Sequence, residues 1–126
     1  MRVTTLLIII VVIGGAAFFA HKAGYFGKAK QAVEESFGAH YNAGQGEYHT
    51  QKYQEAIQEF EKAIQLNPTH QDAPAALVRM GDCYRELGQR DKALECYQKV
   101  LDNYPNFKLR GQVEQTIEKT RTLGTF

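Results

Sequence analysis

The chain repeats itself at an interval of 37 residues across its middle part. A unit of this kind is one supersecondary element that buries its apolar face by stacking on its neighbours. The interval therefore predicts a short solenoid of two units. The residues that match in size and spacing are Gly44 with Gly81, Ala56 with Ala93, Ile57 with Leu94, Phe60 with Tyr97, Lys62 with Lys99, Ala63 with Val100, Ile64 with Leu101 and Pro68 with Pro105.

Each unit contains two segments with the spacing of amphipathic helices. In the second unit, the apolar residues of Ala75–Leu87 recur at i, i+3, i+4 and i+7, the period of a helix with one buried face. Gly88 suits a helix end that needs a positive φ. Pro105 ends the next helix, because the residue before a proline avoids helical angles. The sequence therefore predicts an all-α fold, whose repeat helices are Tyr41–Tyr48, Tyr53–Leu66, Ala75–Leu87 and a fourth through Ala93–Leu101.

The segment RMGDCYRELGQRDKALECYQKVLDNYP is similar to the tetratricopeptide repeat, and its ending resembles repeats of bacterial cell-envelope proteins. The resemblance implies helix pairs that cross at small residues, since glycine and alanine let two backbones approach. The family repeat has about 34 residues, and the extra residues here fall in the loop Thr69–Pro74. Gln51 departs from the pattern, because it stands where a turn glycine is usual. The implied helix-packing residues are Gly44, Ala56, Ala63, Gly81 and Ala93.

The segment after the second repeat predicts a capping helix. Its apolar residues, Val113, Ile117 and Leu123, lie among polar ones, as expected of a helix with one buried and one solvated face. Residues 28–37 are also expected to be helical and to run into the first repeat helix. We therefore expect an α-solenoid domain at 28–126, with repeat 1 at about 37–70, repeat 2 at about 74–107 and the capping helix at about 109–123.

The N-terminal segment differs in kind from the rest. Residues Val3–Ala20 contain no charge over 18 positions, and as a helix they would span roughly 27 Å, close to the hydrocarbon thickness of a bilayer. The alternative is a cleaved signal peptide with Gly15-Ala16-Ala17 as its cleavage site. Arg2 is the only basic side chain before the apolar run, which continues past that site. We therefore predict a transmembrane anchor and hinge at 1–27.

The topology of this anchor follows less directly from the sequence. A count of Lys22, Lys28 and Lys30 against Arg2 would place the repeat domain in the cytoplasm, whereas a very short N-terminal tail favours the opposite orientation. We expect a single-pass protein of the bacterial inner membrane with an extracytoplasmic repeat domain. A stripe of small residues either contacts another membrane helix or simply ends the apolar run; its members are Ala16, Ala20 and Gly24.

The first helix of each unit lines the inner, concave face in the family that the sequence resembles. Tyrosine and arginine on such a face are good contact residues, since they combine area with directed hydrogen bonds. The alternative for the tyrosines is packing against neighbouring helices. The set of lysines and asparagines with which one branch of the family holds a C-terminal carboxylate is missing. The implied partner-binding residues are Tyr41, Gln45, Tyr48, His49, Val78, Asp82, Arg85 and Glu86.

Several classes of function lack support in the sequence. The formal net charge is +1, which gives no electrostatic basis for binding nucleic acid. Cys83 and Cys96 are expected to be buried core residues rather than a disulfide. The four histidines show no metal-ligand spacing, and neither a phosphate loop nor a nucleophile motif occurs. We expect no catalytic residues, metal or cofactor.

Two functions of different class remain. The first is a membrane-anchored adaptor or scaffold that holds a peptide or helix of a protein partner in its groove. The second is a structural subunit of a multisubunit membrane complex, or of a homo-oligomer or filament. The second is favoured by the small number of repeats, because about three units are usually needed for a stable stack. We therefore expect a second copy or another protein to cover the open end of the first repeat.

Overall fold

The structure is a computed structural model that describes residues 27–123. The chain divides into two units, Met1–Val33 and Glu34–Phe126. The predicted membrane span Val3–Ala20 and its stripe of small residues lie outside the described residues. Within the described range, no helix combines the length and the hydropathy needed to cross a membrane.

All regular secondary structure in this range is helical, which confirms the predicted fold class for the repeat domain. Residues 27–33 of the N-terminal unit are helical. In the second unit, residues 34–49 form the first helix, here α1. Successive helices then pack against one another, α2 on α3, α3 on α4 and α4 on α5. Their bounds are Tyr53–Leu66 for α2, Ala73–Glu86 for α3, Arg90–Asn103 for α4 and Arg110–Thr122 for α5.

The start of α3 differs from the sequence prediction. The predicted helix begins at Ala75, after a loop that includes Pro74, whereas α3 begins at Ala73 and holds Pro74 in its first turn. A proline is tolerated there because the first helical N–H groups have no partner within the helix. Both Ala73 and Pro74 are buried. The early start thus brings two further side chains into the core.

The turns inside the two units have the same geometry. Gly88 has a φ of +76° and Gln51, at the equivalent position 37 residues earlier, has a φ of +63°. The backbone N–H of Lys52 donates to the Glu47 carbonyl at 2.9 Å, and that of Gln89 donates to the Tyr84 carbonyl at 2.8 Å. The first unit therefore forms the turn without glycine, although a left-handed residue with a side chain costs about 1–2 kcal/mol.

Two glycines allow each helix pair to approach. A Cβ on Gly44 would lie 2.8 Å from the ring of Phe60, and one on Gly81 would lie 2.5 Å from the ring of Tyr97. Both rings are fully buried. The aromatic residue of the second helix therefore fills the space that each glycine leaves open.

The predicted alanines are all fully buried, but they do not lie in one place. Ala56 and Ala93 belong to the main core, whereas Ala63 lies in a separate cluster with Phe37 and Ala73. That cluster closes the N-terminal end of the first repeat. At the opposite end, Val113 and Ile117 of α5 join the main core, as a capping helix requires.

Polar contacts tie the helices together around these cores. The Tyr104 hydroxyl donates to the Pro68 carbonyl at 2.6 Å, so the end of one repeat is fixed to the end of the next. The His40 ring lies 2.6 Å from a Glu59 carboxylate oxygen and joins α1 to α2. Hydrogen bonds from His40, and then from Lys62, lower the pKa of the Glu59 carboxyl.

Candidate protein-binding groove

A groove of about 470 Å³ runs along α3 and is closed on its far side by α5. Four of the predicted partner-binding residues line it: Tyr41, Val78, Asp82 and Arg85. The helical period explains the three that belong to α3, because positions 78, 82 and 85 are separated by four and three residues and so share one face. Three of the residues that the family resemblance implied for this face therefore lie together along the groove.

A largely buried carboxylate lines the groove. Asp82 is only 13% exposed, and its oxygens lie 3.6 Å from Nη1 of Arg79 and 3.5 Å from Nη2 of Arg85. The Tyr97 hydroxyl donates to Asp82 Oδ1 at 2.7 Å. Burial, followed by this hydrogen bond, raises the pKa of the Tyr97 phenol. The phenol therefore remains a donor throughout the neutral range, which fixes the orientation of the carboxylate.

The other predicted contact residues lie elsewhere. The Gln45 amide donates to the Tyr41 hydroxyl at 3.1 Å. The Tyr48 ring packs edge-on against Tyr53 at 5.8 Å between centroids and under the Arg79 guanidinium at 5.2 Å, so Tyr48 has a packing role. His49 and Glu86 are exposed and are not among the residues that line the groove.

Sequence reasoning missed several residues of the groove. Arg79 lies one turn before Asp82, and helical spacing would have indicated it. The repeat pattern pairs Tyr97 with the apolar Phe60 and so gives no sign that its hydroxyl reaches the groove. The wall formed by α5 contributes Gln112 and Thr116. Their contribution depends on how α5 packs against α4, which no pattern within α5 specifies.

A second depression adjoins the groove at the N-terminal end of α3. This crevice, of about 820 Å³, lies between the loop that precedes α3 and the loop that follows α4. Its apolar lining residues include Pro74, Tyr104 and Pro105. Ala75, Phe107 and Leu109 line both the crevice and the groove. The two are therefore parts of one continuous surface.

Comparison with known proteins identifies the family. The family model described as "Tetratricopeptide repeat" matches residues 35–106, which is more than half of the chain. The chain belongs to the tetratricopeptide-repeat family. This confirms the resemblance to the tetratricopeptide repeat, whereas the likeness to cell-envelope repeats stays a prediction. Membership of the family indicates a module that binds other proteins.

Curated relatives with the same repeat include two cyanobacterial proteins named "Photosystem I assembly protein Ycf3". The one from Synechococcus sp. is 33% identical over 54 residues, which cover 43% of this chain and 31% of the relative. The one from Prochlorococcus marinus is 31% identical over 74 residues, which cover 59% of this chain and 43% of the relative. This chain therefore spans less than half the length of either protein.

The cysteines are part of the repeat core. Cys83 and Cys96 are both buried and free, and burial raises the pKa of the Cys83 thiol to about 12 and that of Cys96 to about 11. Within residues 27–123, no three potential metal ligands among His, Cys, Asp and Glu come together. The geometry thus gives the thiols a packing role.

We expect neither thiol to react with a disulfide reagent in the folded protein at pH 8. A thiol with these pKa values is ionised in roughly one molecule in a thousand or fewer, and only the thiolate is nucleophilic. Labelling followed by absorbance should proceed at the rate of unfolding and reach two thiols per chain in denaturant. Rapid labelling of the native chain would contradict the buried placement.

Proposed function

We propose that this protein is a membrane-anchored tetratricopeptide-repeat adaptor, which holds a segment of a client protein in the groove between α3 and α5. The proposal is carried by the composition of the groove. It combines aromatic and apolar surface, from Tyr41 and Val78, with two arginines around one carboxylate. Partly apolar clefts with a few convergent polar groups are typical binding sites, and tyrosine and arginine are enriched among residues that dominate binding energy.

The anchor is the second part of the proposal. The uncharged run Val3–Ala20 has the length of a membrane span, and we propose that it holds the repeats at the bacterial inner membrane with the domain on the extracytoplasmic side. Tethering raises the effective concentration of the domain near other membrane proteins. The stripe Ala16, Ala20 and Gly24 is the proposed contact with a partner helix.

The relatives suggest what kind of client such an adaptor serves. Two proteins with similar repeats are named as assembly proteins of a photosystem. By analogy, the proposed client is a subunit of a multisubunit membrane complex, held while the complex is put together. The analogy extends only to the class of role, because less than half of each relative is matched.

Charge reversal in the groove tests the adaptor function. We expect Arg85→Glu to reduce recovery of client proteins about tenfold or more, because it places a second negative charge beside Asp82 and removes a guanidinium from the binding surface. The measurement is affinity purification of the tagged full chain from native membranes in mild detergent, with quantitative mass spectrometry of the proteins recovered.

Arg121→Glu is the matched control. Arg85 and Arg121 are both exposed basic residues in the last turn of their helices, so each reversal loses the same interaction with the helix dipole. Arg121 does not line the groove, and its reversal should leave the recovered proteins unchanged. Equal recovery with both variants would contradict the adaptor function. A large assembly of this chain alone would favour the structural-subunit alternative.

A further inference from the structure

The groove and the adjoining crevice differ in chemistry although their surfaces are continuous. The charged side chains of the groove are Arg79, Arg85 and Asp82. The crevice combines proline, aromatic and leucine side chains with polar ones, and its two charged residues, Asp72 and Lys108, are of opposite sign. We propose that the two together bind an extended segment of the client that carries an acidic side chain about three residues from an apolar one. This inference rests on the proposed function and specifies its partner.

Charge favours an acidic group in the groove. The charged residues that line it are Arg79, Arg85 and Asp82, a net charge of +1, whereas residues 28–126 carry 13 basic and 14 acidic side chains, a net charge of −1. The groove lining therefore carries a net positive charge within a domain whose net charge is slightly negative. A carboxylate entering the groove would meet complementary potential, which also speeds association.

The arginines have donors to spare. Both guanidiniums approach the same carboxylate, at 3.6 Å for Arg79 and 3.5 Å for Arg85, and one oxygen of that carboxylate already accepts from Tyr97. Each guanidinium carries five N–H donors. The single Asp82 carboxylate that the two arginines share cannot accept from all of these donors. A second carboxylate, supplied by the client, can accept from them in the paired geometry that arginine favours.

The crevice favours an apolar side chain. Leu109 is 48% exposed where it lines both parts of the surface, and Pro74, Pro105 and Phe107 lie around it. The Tyr104 hydroxyl is already engaged, because it donates to the Pro68 carbonyl. Tyr104 therefore presents its apolar ring to a ligand. Covering a leucine-sized group here removes apolar surface from water on both partners.

Helix geometry sets the spacing between the two subsites. Ala75, which borders the crevice, and Asp82 are seven residues apart on α3, or about 10 Å at the helical rise. An extended chain in the polyproline II conformation covers that distance in about three residues, and its three residues per turn place side chains i and i+3 on the same face. An extended segment also has backbone groups that need partners, and the walls offer amide side chains for them, from Gln71, Asn106 and Gln112.

Selection from a random peptide library displayed on phage tests this inference. The bait is the full chain, biotinylated at its C-terminus and held in mild detergent, with detergent alone for counter-selection. We expect the enriched peptides to share an acidic residue three positions from a leucine, an isoleucine or an aromatic residue. An interval of seven residues would instead indicate a helical ligand and overturn the extended segment.

A synthetic peptide from the selection then defines the site. By fluorescence polarisation, Arg85→Gln should weaken its binding about tenfold, and Arg121→Gln should change it less than twofold. Replacing the acidic residue of the peptide with its amide should weaken binding to the wild-type protein about tenfold. The same replacement should hardly change binding to the Arg85→Gln variant, because both changes remove the same contact.

The outcomes separate this inference from the function on which it rests. Peptides without an acidic residue that still lose affinity on Arg85→Gln would overturn the acidic partner and leave the groove as a binding site. Peptides indifferent to Arg85→Gln, or no enrichment at all, would overturn the inference, and the purification described above would then decide the adaptor function. A self-associated bait that Arg85→Gln converts to monomer would show that a second copy occupies the groove.

Discussion

Replacing Gly81 with valine should lower the free energy of unfolding by about 3 kcal/mol, near the upper end of the usual cost of overpacking a core. A Cβ at this position would already lie 2.5 Å from the Tyr97 ring, and valine adds two more carbons. The ring cannot easily move, because it is fully buried and its hydroxyl is bonded to Asp82. Thermal unfolding of the full chain in mild detergent, followed by circular dichroism, should show a midpoint lowered by more than about 10 °C.

Gly46→Val is the control for this substitution. Gly46 is also helical, but it is exposed and a Cβ there would meet nothing within 4 Å. Valine and glycine are both poor helix formers, so the midpoint should change by no more than a few degrees. If Gly81→Val unfolds at the same temperature as Gly46→Val, the close crossing of α3 and α4 is not what stabilises the second repeat.

The same substitution should also affect the groove. Tyr97 connects the core to the binding surface, because its ring fills the space above Gly81 and its hydroxyl holds Asp82. Displacing the ring would release the carboxylate that lies between the two arginines. Gly81, which permits the close packing of α3 and α4, thereby also determines where the Asp82 charge lies in the groove.

How far the sequence predicted the fold can be judged from the glycines. The 37-residue interval paired Gly44 with Gly81 and placed both at helix crossings, and the structure has both packed against an aromatic ring. Local patterns also located the turn at Gly88, which has a positive φ. These features were predictable because each depends on one residue type at one position in a periodic pattern.

The groove was less predictable, since its walls come from segments far apart in the chain. The face of α3 that holds Val78, Asp82 and Arg85 follows from helical spacing. The opposite wall does not, because Gln112 and Thr116 become part of the groove only through the packing of α5 on α4. The crevice likewise exists because two loops about 35 residues apart lie side by side.

The N-terminal end of the first repeat was the feature that sequence reasoning left open. A second copy or another protein was predicted to cover it, yet the chain supplies part of this cover itself. The Phe37 ring stacks on the His70 ring with centroids 3.8 Å apart, and His70 Nε2 lies 3.1 Å from a carboxylate oxygen of Glu34. The helical interval from Phe37 to Tyr41 and Gly44 could have indicated this burial, but the position of His70 in a loop could not.

We therefore expect Phe37→Ala to be the more damaging of the two core substitutions, with a loss of about 3–5 kcal/mol. Phe37 has no exposed surface and packs with Ala63 and Ala73 in the cluster that closes this end of the stack. Alanine would leave a cavity there and remove the surface on which His70 stacks. Chemical denaturation of the full chain, followed by circular dichroism, measures the loss.

Two further variants show whether the loss comes from this closure. Leu66→Ala removes an apolar side chain that is 42% exposed and should cost less than about 1 kcal/mol. Phe37→Leu keeps most of the apolar volume and loses the ring stacking, so it should fall between the two, at about 1–2 kcal/mol. If Phe37→Ala costs no more than Leu66→Ala, the first repeat is not stabilised by this cluster, and its cover must come from outside the domain.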